Sequence, residues 1–214
     1  MAATLPGMRY LFSVAAIAAL GTTPVHAGPG EIPMVGIGLP FSPETPTPVP
    51  PTHALYHDVE IGDIRDLPPT IKSSGLNFIA AAKRSSVNAA LRESFAKMNL
   101  AAQGATPAHK RLIATWLGDR TPFHIGTSNA TKVTIHYRLE RIDNGKLLFD
   151  RDITTTADGG GVDASMRDNG IVRAAIAANF ASAANCLDRA AYGTAPADCA
   201  LTPRFHVSVV RIGR

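Results

Sequence analysis

Aromatic residues make up only 6% of this 214-residue chain, with a single tryptophan, and charged residues only 18%. The 21 Lys and Arg against 17 Asp and Glu leave a mild net positive charge, and the basic groups are scattered rather than striped. Binding to phosphate backbones calls for clustered basic side chains with interleaved aromatics, so nucleic acid is not an expected partner. Beyond the first 27 residues no run approaches the 18 or more consecutive apolar residues of a spanning helix, which predicts a soluble chain once that segment is removed. No repeat of 20 to 50 residues is present. Catalytic signatures are missing too: no G-x-S-x-G elbow, no H-E-x-x-H pair, no G-x-x-x-x-G-K-[ST] loop and no dinucleotide fingerprint after a strand. The triple glycine Gly159-Gly160-Gly161 lacks the spacing and the lysine of a phosphate loop, so with Asp158 it is predicted to be a loose connection. No residue is assigned as catalytic, cofactor-binding or metal-ligating, and no cofactor is expected.

What is present begins with an address. Arg9 precedes the apolar run Leu11 to Leu20, and Val25-His26-Ala27 ends in the small-residue pattern that export peptidases cut, so residues 1–27 are predicted to be a signal peptide. At about ten residues the run is half of what a spanning helix needs; the alternative is an uncleaved anchor. Met8 is an alternative start. No cysteine stands near the cleavage point, so lipid attachment is not predicted. With 34 alanines and this cleavage pattern, the predicted location is a bacterial periplasm or the exterior, which makes the Asn129-Ala130-Thr131 sequon irrelevant.

The two cysteines, Cys186 and Cys199, fit an oxidising compartment because an even pair can close as one bridge; the alternative is two buried thiols. In the simple loop model, closing about 14 residues removes roughly 3 kcal/mol of unfolded-chain entropy.

Residues 28–53 hold half of the 16 prolines. Each fixes φ and removes an N–H, which predicts a semi-rigid arm of polyproline type, about 80 Å long if fully extended at roughly 3.1 Å per residue. The length leaves room for one domain, assigned to residues 54–214. Tyr56 to Ile64 alternates and is predicted to be a strand, ended by Pro68-Pro69. After Ser73-Ser74 a helical period follows through Leu76, Ile79, Ala80, Val87, Leu91, Phe95 and Met98, stopped by Gly104 and Pro107. Arg111 to Leu117 suits a strand. Lys132 to Ile142 alternates throughout, Asp143-Asn144-Gly145 tolerates positive φ, and Leu147, Phe149, Ile153 and Thr155 run back, predicting an antiparallel hairpin over residues 131–157. Val172, Ile176, Phe180, Ala183 and Leu187 mark a second amphipathic helix, and Phe205 to Ile212 a closing strand. The order predicts an α+β fold, with two amphipathic helices on one face of a mixed, mostly antiparallel sheet of four to five strands.

Carboxylates gather at Asp58, Glu60, Asp63 and Asp66, the residue type needed for general acid–base work or calcium binding, although a solvated strand face explains them more simply. Asp158, Asp163 and Asp168 flank the second helix, where capping and the helix dipole favour aspartate. His53 and His57 lie four apart in an extended segment, where their rings would not converge on a metal. His136 and His206 fall on different predicted strands.

The export signal, the proline-rich leader, the long amphipathic helix, the hairpin with its Asn-Gly turn and the alanine-rich second helix together resemble small α+β accessory proteins of bacterial envelope transport and assembly, many of them lipoproteins. The resemblance covers about residues 54–190 and is one of pattern. It implies a non-catalytic partner of a larger machine, with an envelope protein or an amphiphilic ligand as partner, and the missing lipid-attachment cysteine departs from the lipoprotein members. The competing expectation is a small secreted hydrolase or metal-dependent enzyme built on Asp58, Glu60, His136 or His206, which requires at least two of these to converge in a cleft. A third is an adhesin-like surface domain.

Overall fold

Val133, Ile135, Tyr137 and Leu139, the inward set of the clearest alternating segment, are all at most 2% exposed and sit at the centre of the protein. The computed structural model describes residues 47–72, 80–104, 107–121, 128–160, 164–193 and 206–208. The predicted signal peptide, most of the proline arm, Asp163 and Cys199 lie outside the described residues. The elements run β1 (Val59–Ile61), β2 (Thr70–Lys72), β3 (Ala80–Lys83), α1 (Arg84–Lys97), β4 (Lys110–Arg120), β5 (Ser128–Arg141), β6 (Leu147–Gly160), α2 (Ala164–Ala191) and β7 (His206–Ser208). They form a mixed sheet of order β1-β4-β5-β6-β7 and a separate β2-β3 pair, an α+β fold. The long strands β4, β5 and β6 are antiparallel, while the short edges β1 and β7 join in parallel.

The β5–β6 hairpin follows from its turn residues. Gly145 has φ +67, a conformation that costs glycine little, and the Asn144 carboxamide oxygen accepts from the Lys146 amide at 2.9 Å. The hairpin is longer than the alternation predicts. Asp158, Gly159 and Gly160 are not a loop but the end of β6, opposite Ala130, Asn129 and Ser128. Because β5 extends back to Ser128, ladder hydrogen bonds are on offer there and outweigh the weak strand preference of glycine. Asp158 is therefore a strand residue and caps no helix. Asp168 is the fifth residue of α2, buried, and bonded to Arg167 Nε at 2.8 Å.

The first predicted helix is also corrected. Ala80 to Lys83 are a strand, paired with β2 through Ile71 and Ala82, and the helix starts only at Arg84. Three consecutive alanines satisfy either period, so tertiary pairing decides; Leu76 and Ile79 lie outside the described residues. The helix also ends earlier than Gly104. Asn99 takes the left-handed conformation at φ +58, and the Leu100 amide turns back to the Phe95 carbonyl at 3.0 Å. Asparagine is among the few residues other than glycine that close a helix this way. The first strand shrinks to Val59–Ile61 because a turn through His53 to His57, with His57 at φ +49, precedes it.

The two helices pack on each other as well as on the sheet. Helix α2 lies across β5 and β6, and α1 is held by α2, β3 and β1. With β5, β6, β3, β7 and α1 all against it, α2 is buried almost all round, its most apolar stretch 89% so, which explains why its composition resembles that of a membrane span. Its many alanines permit this close approach. One polar cluster bridges the layers. Tyr137 Oη donates to Asn179 Oδ1 at 2.8 Å, Asn179 Nδ2 donates to the Ile153 carbonyl at 2.9 Å and to Thr155 Oγ1 at 3.2 Å, and Thr155 Oγ1 donates to the Ala175 carbonyl at 2.8 Å.

Candidate functional site

The outward face of the long strands carries the residues that chemistry would need. On β5 it presents Lys132, Thr134, His136, Arg138 and Glu140, and on β6 Asp150, Asp152 and Thr154. These groups satisfy one another locally. His136 lies between two carboxylates, with Nε2 2.9 Å from Asp150 and Nδ1 2.7 Å from Asp152. Arg138 Nε meets Glu140 at 3.1 Å, and Thr134 bonds Thr154 at 2.9 Å. A ring nitrogen on each side of His136 holds the two aspartates apart, so the trio does not converge on one point.

Register places the four residues of the enzymatic expectation in separate regions. Glu60 lies opposite Arg111, which lies opposite Glu140, four residues along β5 from His136 and so about 13 Å away at roughly 3.3 Å per residue. His206 lies opposite Asp158, which lies opposite Ala130, six residues the other way and about 20 Å off. Asp58 precedes β1, close to Glu60 but remote from both histidines. Asp63 pairs with Arg92 on α1, and Asp66 is in a left-handed turn at φ +58. Among the described residues no group of three or more His, Cys, Asp or Glu side chains could hold a metal ion.

The residues that do gather lie at one end of the sheet. Lys110 is opposite both Val59 and Arg141, so the start of β1, the start of β4 and the turn of the β5–β6 hairpin share that end. The Asp58 carboxylate joins them: it accepts from the His109 amide at 2.8 Å, lies 2.7 Å from His109 Nδ1, and pairs with Lys110 Nζ. Burial pushes this carboxyl up, but the Lys110 and His109 hydrogen bonds together hold it below its ordinary value. Lys110 Nζ also donates to the Ala54 carbonyl at 3.0 Å, which ties the incoming chain to the sheet.

Asp58→Asn should therefore cost about 1.5 to 3 kcal/mol at neutral pH, the range for hydrogen bonds to a charged group. A carboxyl lowered in the folded state contributes stability that is present above its unfolded value near 3.9 and lost as pH falls through the folded one. Melting curves across acid pH check this: the wild-type should lose stability below about pH 4, and the variant should show a smaller loss.

Helix α2 brings a second anchor to the same end. Its middle is fixed over the hairpin by the Asn179 contacts, and it runs on toward the hairpin turn. There His53, buried, accepts the Leu55 amide on Nδ1 at 3.1 Å, has Nε2 2.9 Å from Asp188, and meets the Tyr192 ring edge to face at 5.0 Å. His53 is thus a clamp between the arm and α2, while His57 stacks on Tyr56 at 4.0 Å. Val49 is buried too, its amide donating to the Met98 carbonyl at 3.1 Å, so the packed chain begins before Ala54. Sequence patterns carry no signal for His109 or Asp188, because these contacts join residues 51 and 135 positions apart.

This end also holds four of the five large exposed hydrophobic side chains among the described residues. Ile142, Leu147 and Leu148 at the hairpin turn and Tyr192 beyond α2 are 39 to 62% exposed, and among the described residues only Leu117 joins them as a large exposed hydrophobic.

The fold has solved counterparts. A Xanthomonas campestris protein of the family DUF330 is similar at a TM-score of 0.53 and 8% identity, covering 72% of this chain and 96% of that one. A candidate lipoprotein from Caulobacter crescentus gives 0.41 at 13% identity, over 64% and 92% of the two chains. A minor lipoprotein from Acinetobacter baumannii gives 0.40 at 12%, over 62% and 93%. No family model matches the sequence, and no curated protein is similar to it. The likeness shows the fold.

Proposed function

We propose that this chain is an exported, non-catalytic accessory or binding protein of the bacterial cell envelope, delivered by residues 1–27 and carrying a proline-rich arm ahead of its α+β domain. The observation that carries the reading is the sheet register, which separates Asp58, Glu60, His136 and His206 and leaves Asp58 and Glu60 beside basic side chains and His136 between two aspartates. That arrangement favours a scaffold over a reaction centre. Support also comes from the counterparts of this fold that are described as lipoproteins.

The test is fractionation of bacteria expressing the chain with a carboxy-terminal tag. Release with the periplasmic contents, with a new amino terminus at Gly28, supports the reading; retention in the cytoplasm with residues 1–27 intact overturns it.

The reading includes a bridge between Cys186 and Cys199. Cys186 is fully buried on α2, and Cys199 lies outside the described residues. The protein isolated from the periplasm should release two thiols under denaturing conditions only after reductant is added. Reduction, or the Cys186→Ala and Cys199→Ala pair, should cost about 3 kcal/mol. Thiols titratable without reductant would refute the bridge.

A further inference from the structure

We propose that Arg173, on the third turn of α2, anchors a binding site for a singly charged oxyanion, a carboxylate above all. The site is independent of export to the envelope.

Apart from His53, the buried charged side chains among the described residues are Arg167, Asp168 and Arg173. The first two neutralise each other, with Arg167 Nε 2.8 Å from Asp168. Arg173 has no such counterpart. It is 7% exposed, and its one hydrogen bond among the described residues runs from Nε to the Asn169 carbonyl, one turn back, at 3.2 Å. The terminal nitrogens of the fork are therefore left without an acceptor among the described residues, and both keep some contact with solvent. Burial pulls the guanidinium below its ordinary value, and no neighbouring charge acts on it in either direction. A guanidinium does not give up its proton at any pH a protein meets, so the charge stays. A charge taken out of water is costly unless it is paired, and an incoming anion supplies the pairing.

The surroundings narrow the kind of anion. Ile176, Ala177 and Phe180 follow Arg173 at three, four and seven positions on the same side of α2 and are at most 9% exposed, so that side of the helix is apolar toward its middle. Asp168, five positions back, is turned about 140° around the helix and is taken up by Arg167. The fork presents two parallel N–H groups, which match the paired oxygens of a carboxylate or a phosphodiester better than a spherical ion. One guanidinium cancels one charge. No second basic group acts at the same point, so a sulfate or a phosphate monoester would bring an uncancelled negative charge into an apolar site. An anion carried on a hydrocarbon body suits the apolar side of the helix beyond the fork.

The test uses the full chain and two sodium salts, acetate and octanoate, in a dilute chloride buffer at neutral pH. The expected result is saturable binding at one site by calorimetry, with the melting temperature raised by about 5 to 10 °C at about a hundred times the dissociation constant. A larger rise with octanoate assigns the site to an amphiphile and equal rises assign it to the free anion; both support the proposal. Arg173→Met keeps the volume and removes the charge. It should abolish the rise and, without added salt, melt no lower than the wild-type, because an uncompensated charge has gone. Arg173→Lys keeps the charge and loses the fork, and should bind at least about tenfold more weakly. No rise with either salt, or the same rise in Arg173→Met, overturns the site. So does Arg173→Met melting well below the wild-type without added salt, since the chain itself would then hold the guanidinium. Binding by the purified chain and its delivery to the periplasm are read separately, so loss of the site leaves the envelope reading standing.

Discussion

Asn179→Leu should lower the stability of the domain by about 2 to 4 kcal/mol although it replaces a polar residue with an apolar one of similar volume in a fully buried position. A buried polar group stripped of its partner costs about 1 to 3 kcal/mol, and this substitution strips several at once. Tyr137 Oη loses its acceptor, and the carbonyl of Ile153 and the hydroxyl of Thr155 lose a donor. Burial pushes the Tyr137 hydroxyl well above its ordinary value, so it stays protonated and remains a donor in need of an acceptor. At about 2 to 4 °C per kcal/mol for a chain of this size, the melting temperature should fall by about 5 to 15 °C. The decisive measurement is a double-mutant cycle. Tyr137→Phe removes the donor, so the pair Asn179→Leu with Tyr137→Phe should cost clearly less than the sum of the two single changes. Strict additivity would mean that the cluster does not act as a unit and that α2 is fixed to the sheet by packing alone.

The same cluster marks where the sequence stops being legible. Val172, Ile176, Phe180, Ala183 and Leu187 identify the helix, and all five are buried. Alternation identifies β5 for the same reason: its partner faces differ, one apolar and one wet, so the pattern is written in neighbouring residues. Asn179 has no such signature. Its spacing from Ile176 and Ala183 puts it on the buried stripe, but an asparagine there carries no sign of the partners it meets, Tyr137, Ile153 and Thr155, which depend on how α2 crosses β5 and β6. The β2–β3 pair is hidden for a related reason, since each strand is too short to display a period and Ala80 to Ala82 fit a helix equally well. Gly159 and Gly160 read as a loop because strand preference is judged residue by residue, whereas their placement in β6 depends on how far β5 reaches. The candidate residues behave alike. Alternation correctly put His136, Arg138 and Glu140 on one face, but which of them meet Asp150 or Asp152 is a matter of register, and His53 finds Asp188 across 135 positions.

Phe95→Ala tests what α1 contributes to the core. Phe95 is fully buried on α1, and its removal should cost about 3 to 5 kcal/mol, the usual range for deleting a core phenylalanine. For a domain whose total stability is on the order of 5 to 15 kcal/mol, that approaches unfolding. The effect should also reach beyond α1. The Phe95 carbonyl accepts the amides of Leu100 and Ala101, and the turn so formed offers the carbonyls of Met98, Asn99 and Leu100 to Val49, His57 and Val59. A loosened α1 terminus therefore releases the root of the arm as well. Hydrogen exchange should show the amides of Val49, His57 and Val59 losing protection in Phe95→Ala, while those of β5 and β6, held by the hairpin and α2, retain more of theirs. Phe95→Leu should recover most of the melting temperature, because the site asks for apolar volume and not for an aromatic ring. An unchanged melting temperature in Phe95→Ala would show that α1 presents a different face to the core, and protected arm amides in a destabilised variant would show that the arm root is held by His53 and Lys110 without help from the helix end.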